Sequence, residues 1–121
     1  MDKRSIKEIM TADPVCVGPD ATLLDVVEVM RKARHSCLIL AKDRRPVGII
    51  TERDMVKVLA EVLVTCMTRE LMVTDFMTTP AVSIGDSASL YEAMVITQTN
   101  RIRHLPVVDK EDRIVGLLTQ S

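Results

Sequence analysis

Aromatic residues are almost missing from this chain of 121 residues: Phe76 and Tyr91 are the only two, and there is no tryptophan. A surface that binds nucleic acid by stacking bases on rings therefore lacks its material, and nucleic acid is disfavoured as a partner. Any planar ligand must lie between aliphatic side chains and backbone. Charge of one sign is missing too. Sixteen lysines and arginines stand against seventeen acids, a formal net charge of −1, so no global field favours nucleic acid or an anionic membrane. Apolar runs last only a few residues, too short to span a bilayer, and the opening "MDKRSIKEIM" carries charges where a secretory signal has its apolar core. No membrane association is expected, and cytoplasm is the expected location. Cys16, Cys37 and Cys66 are odd in number and form no C-x-x-C pair, so reduced thiols are expected rather than zinc ligands or a disulfide framework. His35 and His104 are the only histidines, and no nucleophile stands paired with a base. Neither a metal centre nor an enzyme is expected.

What the chain has instead is a duplication. With 47% apolar and 27% charged residues it has the composition of one soluble globular unit able to bury a core without staples. Placing "IKEIMTADPVCVGPDATLLDVVEVM" over "VTDFMTTPAVSIGDSASLYEAMVIT" with a shift of 67 positions sets Met10-Thr11 on Met77-Thr78, Val15 on Val82, Gly18 on Gly85 and Leu23 on Leu90. One added residue near Pro106 shifts the register to 68, which sets Val47-Gly48 on Val115-Gly116 and Thr51 on Thr119. The first copy with its connecting helix spans residues 1–72 and the second spans 73–121.

Each copy reads alike. A Met-Thr turn leads into a short strand, "PVCV" or "AVSI", then a turn containing glycine. A helix follows, opened by Thr22-x-x-Asp25 or Ser89-x-x-Glu92, the spacing of a capping box. Leu23, Val26, Val27, Met30 and Ala33 recur at helical spacing and predict its apolar face. Two strands joined by a polar turn come next: "CLILA" and "VGIIT" around "KDRRP", then "LPVVD" and "IVGLLT" around "KEDR". Between the copies "DMVKVLAEVLVTCMTREL" has no Pro or Gly and predicts a helix. The expectation is an α/β fold of two β-α-β-β-α repeats, packed sheet to sheet about a pseudo-twofold axis with two clefts between them. Met10, Met30, Met77 and Met94 fall at predicted core positions, while Met55, Met67 and Met72 belong to the connecting helix, whose excess of apolar residues suggests a dimer interface.

The order "IMT…PVCV…DATLLDVVEVM…CLIL…VGIITERDM", repeated as "FMT…AVSI…SASLYEAM…HLPVVD…IVGLLT", resembles a tandem pair of cystathionine β-synthase (CBS) domains, a Bateman module, over nearly the whole chain. The resemblance implies a regulatory module that needs no cofactor and binds an adenosine-containing ligand, AMP, ADP or ATP with S-adenosylmethionine as a further candidate. It also implies a disc-like homodimer that reports to an effector protein. In the family the segment matching Gly48-Ile49-Ile50-Thr51-Glu52-Arg53-Asp54 holds the ribose. Carried over, Ile50, Thr51 and Asp54 face the sugar, Thr79, Pro80, Ala81 and Val82 the base, and Arg103 and His104 the phosphate. A second cleft would use Asp13, Pro14, Val15, Ser36, Cys37 and Thr119. There the position matching Asp54 would be residue 122, so this cleft is expected to be empty, or the second copy to have lost its last helix in a shortened chain.

Plainer readings stand beside these. Thr51-x-x-Asp54 also fits a third capping box, although it follows a strand end, where α/β sheets bind ligands. Arg101, Arg103 and His104 fit a solvated run as well as a phosphate site. The competing function is a ligandless oligomerisation module.

Overall fold

The structure, a computed structural model, describes residues 4–65 and 71–120. In chain order its elements are β1 (Thr11–Ala12), β2 (Cys16–Val17), α1 (Leu23–Ala33), β3 (Cys37–Lys42), β4 (Arg45–Thr51), α2 (Glu52–Thr65), β5 (Ile84–Gly85), α3 (Leu90–Asn100), β6 (His104–Val108) and β7 (Ile114–Thr119). Turns of 3-10 helix at Ile6–Glu8 and Val73–Asp75 lie ahead of the leading strands. This is the mixed α/β architecture that the repeat predicts. Cys66 and Met67, read as part of the connecting helix, lie outside the described residues.

Both αβ crossovers begin as their sequences dictate. Thr22 Oγ1 accepts from Asp25 N at 3.1 Å while Asp25 Oδ2 accepts from Thr22 N at 3.0 Å, a complete capping box. Ser89 Oγ accepts from Glu92 N at 3.2 Å at the start of α3. Each helix ends on an arginine in the left-handed region, Arg34 at φ 56° and Arg101 at φ 55°, which are equivalent positions of the two repeats. The β3–β4 hairpin turns through Asp43 and Arg44, at φ 53° and 65°, the sign that a two-residue type I′ turn requires at both central positions.

The described chain gathers into two compact units that do not follow its linear order. One comprises Met1–Pro14, Asp43–Pro46 and Ala81–Ser121. Its sheet runs β1-β7-β6-β5, with β1 and β6 antiparallel to β7 and β5 parallel to β6 across the α3 crossover. Ile6, Ile84, Ala93, Leu105 and Val107 form its core, and Met10 packs against them. The other unit comprises Val15–Lys42 and Val47–Pro80. Its sheet runs β2-β3-β4, with β2 parallel to β3. Leu23, Val26, Leu38, Leu40, Ile50, Val58 and Val73 form its core. Residues 37–40 of β3 are buried on both faces, as an uninterrupted apolar strand requires.

Three predicted core positions face outward instead. Val27 is 38% exposed, Ala33 is exposed, and Met94 is 49% exposed. On α1 the buried face is completed by Val29 beside Val26 and Met30, which turns Val27 toward the rim. Helical spacing does not say which side of an apolar helix meets the sheet, and here α1 settles on the side that includes Val29.

Candidate functional site

Thr51 ends β4 and Asp54 lies in the first turn of α2, so a strand end and a helix start share one short segment. Asp54 Oδ2 accepts from Thr51 N at 3.0 Å and from Thr51 Oγ1 at 3.2 Å, and Asp54 N reaches back to Thr51 Oγ1 at 3.4 Å. The segment is therefore a capping arrangement, and the plainer reading of it is correct as geometry. Yet Asp54 is only 2% exposed, and among the described residues it is the one charged side chain that is buried. A buried carboxylate is stable only where donors surround it, and a cap alone supplies donors to one oxygen.

The other donors come from elsewhere in the same unit. Thr78 Oγ1 lies 3.3 Å from Asp54 Oδ1 and 3.5 Å from Oδ2. Lys57 Nζ, one turn along α2, lies 3.8 Å from Oδ1 with its side chain 68% exposed. Thr78 is held there by backbone: Ile49 N donates to Thr78 O at 3.0 Å and Thr78 N to Ile49 O at 2.8 Å. The close approach requires Gly48. A Cβ at this position would stand 2.6 Å from Met77 Sδ and 3.2 Å from Thr78 O. The same device recurs in the other unit, where Met10 packs on the bare face of Gly116 and Thr11 pairs with Leu117. The recurring glycine of the two repeats is thus explained by the methionine that covers it.

Cys37, at the start of β3, completes this neighbourhood. Burial, with the negative charge of Asp54 added, pushes its thiol pKa up to about 12. It remains a protonated packing group rather than a nucleophile. Ser36 O accepts from Glu52 N at 3.0 Å, tying the start of β3 to the start of α2. The arrangement gives Asp54 one oxygen firmly engaged by Thr51 and one whose partners are a long hydroxyl contact and a solvent-facing ammonium.

Of the residues singled out from the sequence, Thr51, Asp54, Thr79 and Pro80 lie in this unit, with Thr79 Oγ1 donating to Val47 O at 3.0 Å. Ile50 is there too, but fully buried in the core with Leu38 and Val58. Ala81, Val82, Arg103 and His104 belong to the other unit. Arg103 is exposed and its carbonyl accepts from Gln120 N at 2.8 Å, while His104 opens β6 opposite Thr119. Among the residues assigned to a second cleft, Val15, Ser36 and Cys37 share the unit of Asp54, and Asp13, Pro14 and Thr119 share the other. Asp13 sits at φ 49° with its N–H on Val115 O at 3.3 Å. Thr78 and Lys57 were not singled out from the sequence. The repeated Met-Thr pair was the available signal for Thr78; for Lys57 it was helical spacing from Asp54.

Elsewhere, a hollow of about 350 Å³ is lined by Lys7, Asp86, Asp109, Lys110, Glu111 and Arg113. Lys7 pairs with Asp86 at 3.6 Å and Arg113 with Asp109 and Glu111 at 3.4 and 2.9 Å, so its charges largely answer one another. Among the described residues no group of three or more His, Cys, Asp or Glu could hold a metal ion, and no helix is long and apolar enough to cross a membrane.

The family model of the CBS domain matches residues 6–61 and 73–121. Inosine-5'-monophosphate dehydrogenase of Rhizobium tropici is 34% identical over 114 residues, which cover 91% of this chain and 21% of that enzyme. The chain thus spans about a fifth of the length of this relative. Among solved structures, CBSX2 of Arabidopsis thaliana in complex with AMP is similar at a TM-score of 0.81 and 25% identity, covering 96% of this chain and 90% of that one. Protein MJ1225 of Methanocaldococcus jannaschii, a proposed archaeal homolog of g-AMPK, is similar at 0.85 and 27% identity, covering 98% of this chain and 45% of that one.

Proposed function

Since the chain belongs to the CBS domain family, with two copies of the domain, we propose that it is a regulatory ligand-sensing module rather than an enzyme, and that it binds an adenosine-containing nucleotide at Asp54. The observation that carries this reading is the buried carboxylate of Asp54, 2% exposed, at a strand end and helix start with replaceable partners on one oxygen. A vicinal diol such as that of ribose offers two hydroxyl donors to one carboxylate, and Thr51 adds a short hydroxyl beside it. The structure of CBSX2 with AMP supports the ligand class. Thr79 and Pro80, from the segment that follows Thr78, are the proposed base contacts. Binding that favours one arrangement of the module over another is what an effector protein would read.

Calorimetry with AMP, ADP, ATP and S-adenosylmethionine, on protein freed of copurified nucleotide, tests the reading directly. Wild type should bind at least one of them and Asp54→Ala should lose that binding. Unchanged affinity in the variant would sink the assignment to Asp54.

A second reading rests on a separate observation. Val56, Leu59, Leu63 and Val64 of α2 are 66, 57, 71 and 83% exposed, an apolar stripe at helical spacing. It supports a homodimer in which this helix joins subunits, with or without ligand. Leu63→Lys should lower the sedimentation-equilibrium mass toward that of one chain; a mass already monomeric in wild type excludes this reading.

A further inference from the structure

Resting on the reading of Asp54 as the sugar site, we infer that Lys57 is the residue that makes this site prefer an anionic nucleotide over an uncharged or cationic adenosine compound. Two facts on α2 carry it. The Lys57 ammonium lies 3.8 Å from Asp54 Oδ1, the oxygen with replaceable partners, and its side chain is 68% exposed, so the charge reaches the rim of the site rather than being locked inside it. Lysine is a compact charge on a flexible four-carbon stem, and it can move from a carboxylate to a phosphate without rearranging the helix.

When a sugar diol takes over Asp54 Oδ1, Lys57 loses part of its partner while the carboxylate is occupied by neutral hydroxyls. A 5′-phosphate, separated from the diol by one furanose ring, then offers the ammonium a new anion within reach of its stem. An uncharged nucleoside offers none. A sulfonium such as S-adenosylmethionine places a cation on the 5′ side of the same sugar, where Lys57 repels it. Selection by charge follows from this one side chain, whatever its effect on the sugar contact itself. Arg53, exposed in the first turn of the same helix, is the built-in control for a general effect of positive charge.

The test is the ratio of affinities for AMP and adenosine, measured by calorimetry on the full chain at low and high salt. The ratio cancels any change that Lys57 substitution makes to the sugar contact. Lys57→Met, which keeps the apolar stem, should lower the AMP-to-adenosine ratio about threefold to fivefold, as expected of a solvent-screened charge. Lys57→Glu should lower it further and bring S-adenosylmethionine up relative to AMP. Arg53→Met should leave the ratio unchanged, and 0.5 M salt should narrow the wild-type ratio. A ratio unchanged in Lys57→Met, or changed equally in Arg53→Met, overturns the inference while leaving the sugar site standing. Wild type that binds neither compound, or binding of adenosine that survives Asp54→Ala, overturns the sugar site and the inference with it.

Discussion

The Thr78 hydroxyl stands 3.3 Å from Asp54 Oδ1 across a separation of 24 residues, held there by a two-hydrogen-bond bridge between Thr78 and Ile49. A capping carboxylate of α2 is thereby coupled to a segment that belongs, by sequence, to the second repeat. The coupling gives Asp54 a cost of removal larger than a cap alone.

Thr78→Val keeps the shape and removes the hydroxyl, whose contacts are long, so it should cost about 0.5–1.5 kcal/mol. Asp54→Asn keeps one acceptor for the Thr51 N–H but turns an NH2 donor toward Thr78 Oγ1 and the Lys57 ammonium, and should cost about 2 kcal/mol. Urea denaturation of both single variants and of the double variant checks the coupling: the double should cost less than the sum. Strict additivity would show that the two side chains do not interact.

Gly48→Ala should be destabilising by about 1–3 kcal/mol, because the new methyl meets Met77 Sδ and Thr78 O. The loss should shrink when Met77→Ala is added, since the flexible side chain is then gone and only the carbonyl contact remains. Gly85→Ala is the contrast, with nothing within 4 Å of the added carbon and only its strand environment to satisfy. Thermal melts of the three variants rank them.

Cys37 makes stability fall at alkaline pH. Its thiol pKa is about 12 in the folded chain, above the ordinary thiol range, so its contribution is fully present below the unfolded value. Between roughly pH 9 and 12 the unfolded chain releases this proton while the folded chain keeps it, and stability drops by up to about 1.4 kcal/mol per pH unit. Cys37→Ala should flatten that slope. At pH 8 an alkylating reagent should label the exposed Cys16 in preference to the buried Cys37, read by mass spectrometry of the two peptides.

Thr22→Ala removes one half of the α1 capping box, freeing the Asp25 N–H, and should cost about 1 kcal/mol. Thr22→Ser should recover most of it. The check is the shift in the urea midpoint with the slope unchanged.

Much of the architecture was legible in residue order. The paired capping residues Thr22 and Ser89 and the apolar strands "CLIL" and "VGII" each report on local backbone, and those elements appear where the signals put them, whereas Gly85, expected in the turn after "AVSI", lies within β5. Val27 and Met94 were misread as core because helical spacing defines a stripe but not which edge of it the sheet will cover. Thr51 and Asp54 were legible both as a cap and as a sugar site; the geometry shows the cap, with the second carboxylate oxygen held by the longer Thr78 and Lys57 contacts.

The sequence by itself determined that two copies of one α/β unit exist, where their helices begin, and that an acid follows Thr51 in the first copy, because periodicity, caps and turns act within a few residues. Only the tertiary structure decided that Met77 lies on Gly48, that Thr78 is thereby carried to Asp54, and that Cys37 shares its burial. Those contacts join segments far apart in the chain through packing and backbone pairing, and nothing in the residues between them records which glycine a methionine will cover.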